Sequence, residues 1–310
     1  MPERSLPGDG CVLTVGTFDG VHRGHVAVLD ELAAEGRRRG LPTVLVTFDP
    51  HPLRIVRPET APRLLTTPAE KVEILAQSEL DYLAFFRFTP ALAAYSPRRF
   101  VEEILLRQMA MRHFVIGYDH GFGRGRSGDV DTLRDIGREA GFGVDVVPPV
   151  AGPAGPISSS RIRRSLEEGD VAAAAASLGR PYSLAGTVVR GEGAGRRLGF
   201  PTANLQLDSP DKLLPHEGIY AVRAALHDRY GDGVLHLGPR PTFPGLGPSI
   251  ELHLFDFDGD LYGSRIRVDL FSRIRGIARF DSPRSLIEAM ERDCLAARAA
   301  LAAEPVPPAQ

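Results

Sequence analysis

The sequence predicts an α/β fold, in which a parallel sheet with helices on both faces is followed by an antiparallel β-barrel and a C-terminal helix. In the first half, strand-like apolar runs alternate with runs of helical periodicity, the pattern of a sheet covered by helices. From about Arg180 the runs become short and alternating, and Gly, Pro and Asp separate them, which is typical of an antiparallel barrel. A chain of 310 residues is long enough for two domains with separate cores.

The first half is predicted to form the parallel sheet and the helices that cover it. Val26, Leu29 and Leu32 recur at helical spacing, so we expect the first helix to begin near Gly24. In chain order, the predicted strands span 11–15, 43–48, 82–88, 113–117 and 144–147, and the later helices span 68–78, 97–109 and 132–140. The glycines and prolines of 151–156 predict a flexible loop before a further helix.

The second half is predicted to form the barrel and the last helix. The predicted strands span 182–189, 218–226, 233–237, 249–257 and 264–271, and the helix spans 282–302. Five apolar side chains of this helix are expected to pack on the barrel: Leu286, Ile287, Met290, Leu295 and Leu301. Asp256, Asp258 and Asp260 lack the spacing of a calcium-binding loop, so they predict a hairpin turn.

Composition and charge exclude several classes of protein. The formal net charge is -2, and neither half has the basic excess of a nucleic-acid-binding protein. Cys11 and Cys294 are the two cysteines, which gives neither a disulfide framework nor a metal-binding spacing. The N-terminus lacks the apolar core of a signal peptide, and no apolar run approaches the roughly 20 residues of a membrane span. We therefore expect a soluble, cytoplasmic protein that binds neither nucleic acid nor membranes.

His22 and His25 follow the first predicted strand and lie at the start of the first predicted helix. Gly16 and Gly20 let the chain turn tightly and pass close to a ligand. Residues three apart on a helix share a face, and a helix N-terminus offers N–H groups and partial positive charge to an anion. We therefore expect both imidazoles to stabilise charge on one triphosphate as pyrophosphate leaves. Two ordinary surface histidines, or a metal-binding pair, are the alternatives.

Further polar residues are expected at the same edge of the sheet, because ligands bind outside the carboxyl ends of parallel strands. Asp49 and the Tyr118–Asp119 segment follow predicted strands. The serines at 158–160 precede Arg161, Arg163 and Arg164, and the helix that they begin is expected to point toward this edge. The serines can cap the helix while an arginine pairs with phosphate, although a solvated helical face also explains the arginines.

Thr202, Asn204 and Glu251 form a second candidate centre, in the predicted barrel. Thr202 and Asn204 on an extended segment point the same way, and their oxygens suit magnesium, although an ordinary turn is the alternative. Glu251 alternates with apolar residues on its strand. Its carboxylate is a candidate general base for a substrate hydroxyl that attacks ATP, although alternation also fits a side chain that merely faces water.

Several of these runs resemble one family, the bacterial FAD synthetases, which are bifunctional riboflavin kinases and FMN adenylyltransferases. The segment 17–25 resembles the family's H-x-G-H motif, and 157–164 is similar to its Ser-Ser-Thr-x-Ile-Arg motif. Four runs in the second half resemble the riboflavin kinase module in order and spacing: 195–205, 218–223, 240–243 and 251–263. The resemblance implies a Rossmann-like nucleotidyltransferase domain at 1–178 and a barrel riboflavin kinase domain at 179–310.

The resemblance also implies the ligands and the residues that bind them. Magnesium is the implied cofactor, ATP a substrate, and riboflavin, FMN and FAD the remaining small-molecule partners. His22 and His25 engage the ATP phosphates during AMP transfer to FMN, and Glu251 activates the ribityl 5'-hydroxyl of riboflavin. The implied binding residues of the first domain are Gly16, Thr17, Phe18, Asp19, Gly24, Asp49, Asp119, Ser158, Ser159 and Arg163. Those of the second are Gly199, Phe200, Pro201, Thr202 and Asn204, with Thr202 and Asn204 also holding magnesium.

Two other functions are compatible with the sequence. In one, only the kinase works and the first domain is a weakened adenylyltransferase. In the other, the chain is a regulator that binds flavin without turnover. Product analysis from riboflavin and from FMN separately discriminates among the three. The sequence leaves the oligomeric state open, including a homo-oligomer.

Overall fold

Two compact units make up the chain, Met1–Ser159 (unit 1) and Ser160–Gln310 (unit 2). The computed structural model describes residues 10–118, 121–152, 155–191, 193–227, 229–240, 242 and 248–305. The domain boundary that we predicted after residue 178 differs from this division by the two helices of 159–178, and it stays a prediction. In the described ranges, none of the helices has both the length and the apolar character that crossing a bilayer requires.

A five-stranded sheet forms the centre of unit 1, and all of its neighbouring strand pairs are parallel. Its strands are β1 (Cys11–Val15), β2 (Thr43–Asp49), β3 (Tyr82–Arg87), β4 (Met111–Gly117) and β5 (Gly143–Val147). Their spatial order is β3-β2-β1-β4-β5, so β1 has β2 on one side and β4 on the other. The predicted parallel sheet is therefore confirmed, and the residues that follow β1 and β2 lie at one edge.

Helices connect these strands. They are α1 (Arg23–Arg39), α2 (Pro52–Val56), α3 (Pro68–Leu75), α4 (Pro90–Ala93), α5 (Pro97–Phe100) and α6 (Val130–Ala140), with 3₁₀ turns at Pro58–Thr60 and Arg124–Arg126. The segment 97–109, predicted as one helix, begins as α5 and continues as a π-helix over Val101–Gln108. At its end the Met109 N–H donates to the Ile104 carbonyl, five residues earlier.

Both faces of the sheet are buried. Cys11, Leu13 and Val15 belong to one apolar cluster, and Val12 belongs to another. Because successive side chains of a strand point to opposite faces, the two clusters lie on opposite sides of β1. The prediction of helices on both faces is consistent with this division. Val26 lies outside both clusters and is exposed, so Leu29 and Leu32 carry the apolar face of α1.

The segment 151–156 was predicted to be a flexible loop, and its described residues form a short antiparallel pair instead. Ala151–Gly152 (β6) pairs with Gly155–Pro156 (β7). The Ile157 N–H then donates to the Val150 carbonyl at 3.0 Å, which closes the base of the pair. The described residues on either side of 153–154 are therefore paired before the next helix begins.

A closed antiparallel barrel forms unit 2, as the sequence predicts. Its strands are β8 (Tyr182–Val189), β9 (Ala203–Leu207), β10 (Gly218–Ala225), β11 (Tyr230–Gly238), β12 (Ser249–Leu254) and β13 (Arg265–Arg275), in the order β10-β11-β12-β9-β8-β13. Its helices are α7, which begins at the unit boundary (Ser159–Glu167), α8 (Val171–Leu178), α9 (Ala194–Arg197) and α10 (Pro283–Leu301). Closure pairs each of these described strands with a neighbour on both sides.

The predicted hairpin turn around Asp256, Asp258 and Asp260 is wrong. β12 pairs with β11 and β9, whereas β13 pairs with β10 and β8. The segment between them therefore joins strands that are not neighbours, and a tight turn cannot make that connection.

α10 packs on the barrel through one face. Ala297 and Leu301 are buried in a cluster with Phe255 and Ala221. Leu295, which we predicted to face the barrel, is instead 69 % exposed. A helix turns about 100° per residue, so Leu295, two residues before Ala297, points to the opposite side of α10.

Candidate active sites

The two histidines of the first motif form the N-terminus of α1. His22 is the N-cap residue, and its Nδ1 accepts the backbone N–H of His25 at 3.3 Å. In return, Nδ1 of His25 accepts the backbone N–H of His22 at 3.3 Å. The two rings stack with their centroids 3.7 Å apart. They therefore lie on the same face of the first turn, which is the arrangement that a phosphate site requires.

This reciprocal capping has a chemical consequence for both imidazoles. An N–H group can donate only to an unprotonated nitrogen, so Nδ1 of each ring acts as the acceptor and the proton of the neutral ring is on Nε2. Each ring therefore presents an Nε2–H group as a hydrogen-bond donor. His22 is only 6 % exposed and His25 is half-buried, so protein atoms surround much of both rings.

The loop between β1 and α1 is anchored from several sides. Phe18 stacks on the His25 ring at 4.5 Å, although its φ of 45° lies in the left-handed region. Asp19 is 2 % exposed, and its carboxylate accepts the backbone N–H groups of Leu65 and Thr66, each at 3.0 Å. We predicted Asp19 as a binding residue, and in the structure its carboxylate fixes the loop. Direct contact between Asp19 and a ligand stays a prediction.

The other predicted residues of this loop lie beside the histidines or at the edge of the sheet. Gly16 and Thr17 follow β1, and Asp49 is the exposed last residue of β2. A Cβ atom on Gly24 would lie 3.1 Å from the His22 ring. A side chain at position 24 would therefore crowd the His22 imidazole, so this position favours glycine.

The remaining predicted binding residues of the first domain are Ser158, Ser159, Arg163 and Asp119, and the structure describes the first three. Ser159 begins α7, and its hydroxyl donates to the Asp19 carbonyl at 2.9 Å. Ser158 is half-buried just before it, and Arg163 lies in α7 as part of unit 2. Asp119 lies outside the described residues. Nucleotide contacts of all four stay predictions.

In unit 2, the structure brings Glu251 together with Thr202 and Asn204. Glu251 on β12 lies opposite Asn204 on β9 in the strand register. Oε2 of Glu251 accepts the Thr202 hydroxyl at 3.0 Å, and Oε1 accepts the Ser249 hydroxyl at 2.9 Å and Arg240 Nη1 at 3.0 Å. The side chain of Glu251 is only 14 % exposed. Glu251 is therefore not a surface carboxylate on the polar side of a strand.

Gly199, Phe200 and Pro201 form the turn that leads into β9. Gly199 has a φ of 86°, which favours glycine, and the Phe200 N–H donates to the Gly195 carbonyl at 2.9 Å. The Pro201 carbonyl lies 2.9 Å from Nδ1 of His253, and since a carbonyl only accepts, the proton of that bond is on Nδ1. These bonds fix the backbone that presents Thr202.

A cavity of about 140 Å³ in unit 2 is lined by both Thr202 and Glu251. This volume is well above the 10–15 Å³ that one water needs. Polar lining residues come from the barrel strands, from the segments before β9 and after β11, and from Asp293 on α10. Many of the apolar lining residues come from α10 and the segment that precedes it, and others come from β10, β11 and the segment before β9: Leu198, Phe200, Ile219, Val234, Ile277, Ala278, Phe280, Leu286, Met290 and Cys294. The cavity therefore has both polar and apolar walls.

Sequence reasoning missed several residues of these sites. Arg240, which pairs with Glu251, lies inside a run that resembles the family, but we gave it no role. His236 lines the cavity and lies opposite Glu251 in the strand register, and burial lowers its pKa, although Glu251 opposes this effect. Lys71 lies behind the histidine loop, and its one signal in the sequence is that lysine is rare in this chain.

One cluster in unit 1 has ligand atoms spaced for a metal ion, namely Glu35, His113 and Asp145. His113 Nε2 lies 2.8 Å from Asp145 Oδ2. Glu35 accepts hydrogen bonds from Arg38 and Arg39, and the Arg38 bond lowers its pKa to about 2. Two guanidinium groups thus neutralise this carboxylate already, and a cation would have to compete with them.

The fold and the sites together define a two-unit, nucleotide-dependent transferase. The family model described as FAD synthetase matches residues 7–161, and that described as riboflavin kinase matches residues 178–301. The chain belongs to the family of bifunctional riboflavin kinase/FMN adenylyltransferases. A family member from Escherichia coli K12 is 39 % identical over 293 residues, covering 94 % of this chain and 93 % of that protein. One from Bacillus subtilis strain 168 is 34 % identical over 286 residues, covering 91 % and 90 %.

A solved structure has a similar fold along most of its length. The crystal structure of a protein from Streptococcus pneumoniae, described as a macrolide-efflux protein, has a TM-score of 0.84 with 30 % sequence identity. The match covers 93 % of each chain. It shows that the parallel-sheet unit and the barrel unit occur together in another solved protein.

Proposed function

We propose that the two activities of the family are carried out at separate sites of this chain. The barrel unit transfers a phosphoryl group from ATP to riboflavin, which gives FMN and ADP. The histidine loop of unit 1 supports transfer of AMP from ATP to FMN, which gives FAD and pyrophosphate. The observation that carries the proposal is the contact of Glu251 with Thr202, next to Asn204, on the wall of one cavity.

In the kinase reaction, Glu251 acts as the general base. The ribityl 5'-hydroxyl gives its proton to the carboxylate while its oxygen attacks the γ-phosphorus, and the bond from that phosphorus to the ADP oxygen breaks. Arg240 and Ser249 both bind Oε1, which fixes the carboxylate plane. Thr202 binds Oε2 and holds that oxygen beside the place where the ATP phosphates are proposed to bind.

The residues around Glu251 fit a magnesium ion. The Thr202 hydroxyl and the Asn204 amide carbonyl are hard oxygen donors, and they lie next to a carboxylate, the donor set that this ion prefers. When bound, magnesium supplies charge neutralisation for the ATP phosphates. Thr202 and Asn204 are the residues that hold it in this proposal, while the turn at 199–201 keeps their backbone in place.

In the adenylyl transfer, His22 and His25 act by charge stabilisation. An FMN phosphate oxygen attacks the α-phosphorus of ATP, and the bond to the pyrophosphate oxygen breaks. The two Nε2–H groups donate to the phosphate oxygens on which negative charge grows. The stacked, doubly capped rings support this role because they need no rearrangement during the reaction.

Two variants assayed with riboflavin and with FMN separately test both assignments. Glu251→Gln is expected to lower FMN formation by about 10²-fold or more, and to leave FAD formation from added FMN within about twofold. His25→Asn keeps an acceptor for the His22 N–H and removes the Nε2–H donor. It is expected to lower FAD formation from FMN by about 10²-fold and to leave FMN formation unchanged.

Asp258→Asn, an exposed carboxylate of the same unit, is the matched control and should change neither rate. An unchanged kinase rate in Glu251→Gln would contradict the assignment of the base. FMN that accumulates without FAD in the parent protein, even from added FMN, would favour the kinase-only alternative. Flavin binding without any product would favour the regulator.

The proposal gives the protein small-molecule partners, namely riboflavin, ATP, FMN and FAD. It places both reactions in the cytoplasm because both consume ATP. The oligomeric state stays open, and sedimentation of the purified chain measures it directly.

A further inference from the structure

Lys71 on α3 is a buried lysine next to the histidine loop. It is one of only two lysines in the chain, against 35 arginines, and it is 6 % exposed. Its ammonium donates to the Thr17 carbonyl at 2.6 Å and to the Thr47 hydroxyl at 3.3 Å. Thr17 follows β1 and Thr47 belongs to β2. The ammonium therefore links the chain segments at the carboxyl ends of these two strands.

Burial of the Lys71 ammonium costs solvation free energy, so the charge needs compensating contacts. The Thr17 carbonyl and the Thr47 hydroxyl supply them. Burial lowers the pKa of Lys71, whereas the nearby carboxylates of Asp19 and Asp49 oppose that effect. A compact ammonium suits this place, since the five fixed donors of a guanidinium group need more room and more acceptors.

The contact of Lys71 with Thr17 is connected to the histidines through the next residue, Phe18. The Thr17 carbonyl also accepts the Thr47 hydroxyl at 3.1 Å, so two donors hold it. The next residue, Phe18, has a φ of 45° and stacks on His25, which in turn stacks on His22. The orientation of the histidine rings therefore depends on a backbone that is fixed at Thr17.

We propose that Lys71 is a positioning residue for adenylyl transfer, an inference that rests on the proposed role of the histidine pair. Its ammonium holds the Thr17 carbonyl so that Phe18 keeps the His25 and His22 rings stacked, with their Nε2–H groups directed at the phosphates. Lys71 acts through these residues and does not bind the phosphates itself.

The test uses Lys71→Met in the full chain, because methionine preserves the apolar length of the side chain and removes the ammonium. We expect kcat for FAD formation from FMN to fall about tenfold or more, with KM for ATP changed by less than about threefold, since alignment is lost and ground-state binding is not. FMN formation from riboflavin in the same preparation is the internal control and should stay within about twofold.

Two further variants separate this role from a general effect of removing a buried charge. Lys212→Met removes the other buried lysine, in unit 2, and should leave FAD formation from FMN unchanged. Phe18→Leu removes the stacked ring while keeping Lys71, and should reproduce the kcat loss of Lys71→Met. Because Phe18→Leu leaves the buried charge in place, it tests the inference even if Lys71→Met fails to fold.

A double-mutant cycle with His25→Asn decides whether Lys71 acts through the histidine. If it does, adding Lys71→Met to His25→Asn lowers the residual rate by less than about threefold, because the aligned group is already gone. A full tenfold further loss, or a large rise in KM for ATP, would mean direct phosphate binding and overturn the inference. If His25→Asn alone keeps the parent rate, the proposed function of the histidine pair fails instead, which is a distinguishable result.

Discussion

At the scale of single residues, the proposed kinase site depends on how the Glu251 carboxylate is held. Arg240 and Ser249 bind one oxygen of Glu251 and Thr202 binds the other, so its orientation is set by three side chains. A general base must lie within hydrogen-bond reach of the proton it takes, and a fixed orientation provides that reach without rearrangement. The same logic applies in unit 1, where two backbone N–H groups fix the tautomer of the histidine pair.

The two cysteines give a residue-scale prediction about the cavity. Cys294 lines the cavity and is half-buried, whereas Cys11 is fully buried and burial raises its pKa to about 12. Since the thiolate is the reactive form, iodoacetamide at pH 8 should modify Cys294 slowly and Cys11 not at all. Riboflavin should slow the modification of Cys294 at least about fivefold, as measured by mass spectrometry of the intact protein and its peptides.

Cys11 is the control in that experiment because it belongs to the core of unit 1 and should react only after denaturation. Burial also raises the pKa of Cys294, so its rate should increase as the pH rises toward that value. Equal modification of Cys294 with and without saturating riboflavin would place the flavin elsewhere.

At the scale of elements, capping residues at helix N-termini and side-chain contacts of helix faces position the helices around the two sites. His22 caps α1, and Thr67 forms a capping box with Glu70 at α3, which places Lys71 directly behind the loop. On α10, Ser282 caps the N-terminus, and Asp293 forms two bonds with Arg275 of β13, at 2.8 and 2.7 Å. These contacts position the helix that supplies much of the apolar cavity wall.

The face of α10 gives an element-scale prediction about stability. Leu301 is buried in the cluster with Phe255, so Leu301→Ala should lower the free energy of unfolding by about 2–4 kcal/mol. Leu295 is exposed, so Leu295→Ala is the matched control and should change it by less than about 0.5 kcal/mol. Urea denaturation followed by circular dichroism measures both, and similar losses would mean that α10 packs through a different face.

At the scale of the whole molecule, each unit has its own apolar core. Two clusters cover the faces of the sheet in unit 1, and a separate cluster joins α10 to the barrel in unit 2. Most of α7 and α8 falls between the two family matches. Ser159 at the start of α7 contacts the Asp19 carbonyl of unit 1, whereas the later residues of α7 and α8 contact unit 2. α8 packs on β8 and β13, and the His216 N–H donates to the Leu166 carbonyl of α7 at 2.8 Å.

The position of α8 predicts where the chain can be divided. A fragment of residues 160–310 should fold cooperatively and phosphorylate riboflavin. A fragment of residues 179–310 loses Val171, Ala174 and Leu178, which are buried, and should be at least about 3 kcal/mol less stable in urea. Equal stability of the two fragments would support the boundary after residue 178 that the sequence predicted.

Sequence patterns were sufficient to predict the architecture. Apolar runs predict the strands to within a few residues because the central strands β1, β2 and β4 are largely buried on both faces. The change to short alternating runs near Arg180 predicts where the barrel begins. Patterns failed where neighbours along the chain are not neighbours in space. The Asp256–Asp260 segment looks like a hairpin because aspartate and glycine favour turns, but strand order in the barrel decides what the segment connects.

By itself, the sequence determined the candidate side chains for the chemistry: two imidazoles after a buried strand, and a carboxylate with a threonine and an asparagine in the barrel. Only the tertiary structure decided how those groups are held. Glu251 meets Thr202 across 49 positions of sequence, and Lys71 reaches Thr17 across 54. No local periodicity encodes such contacts, because they arise when strands distant in the chain are paired and their side chains are buried together.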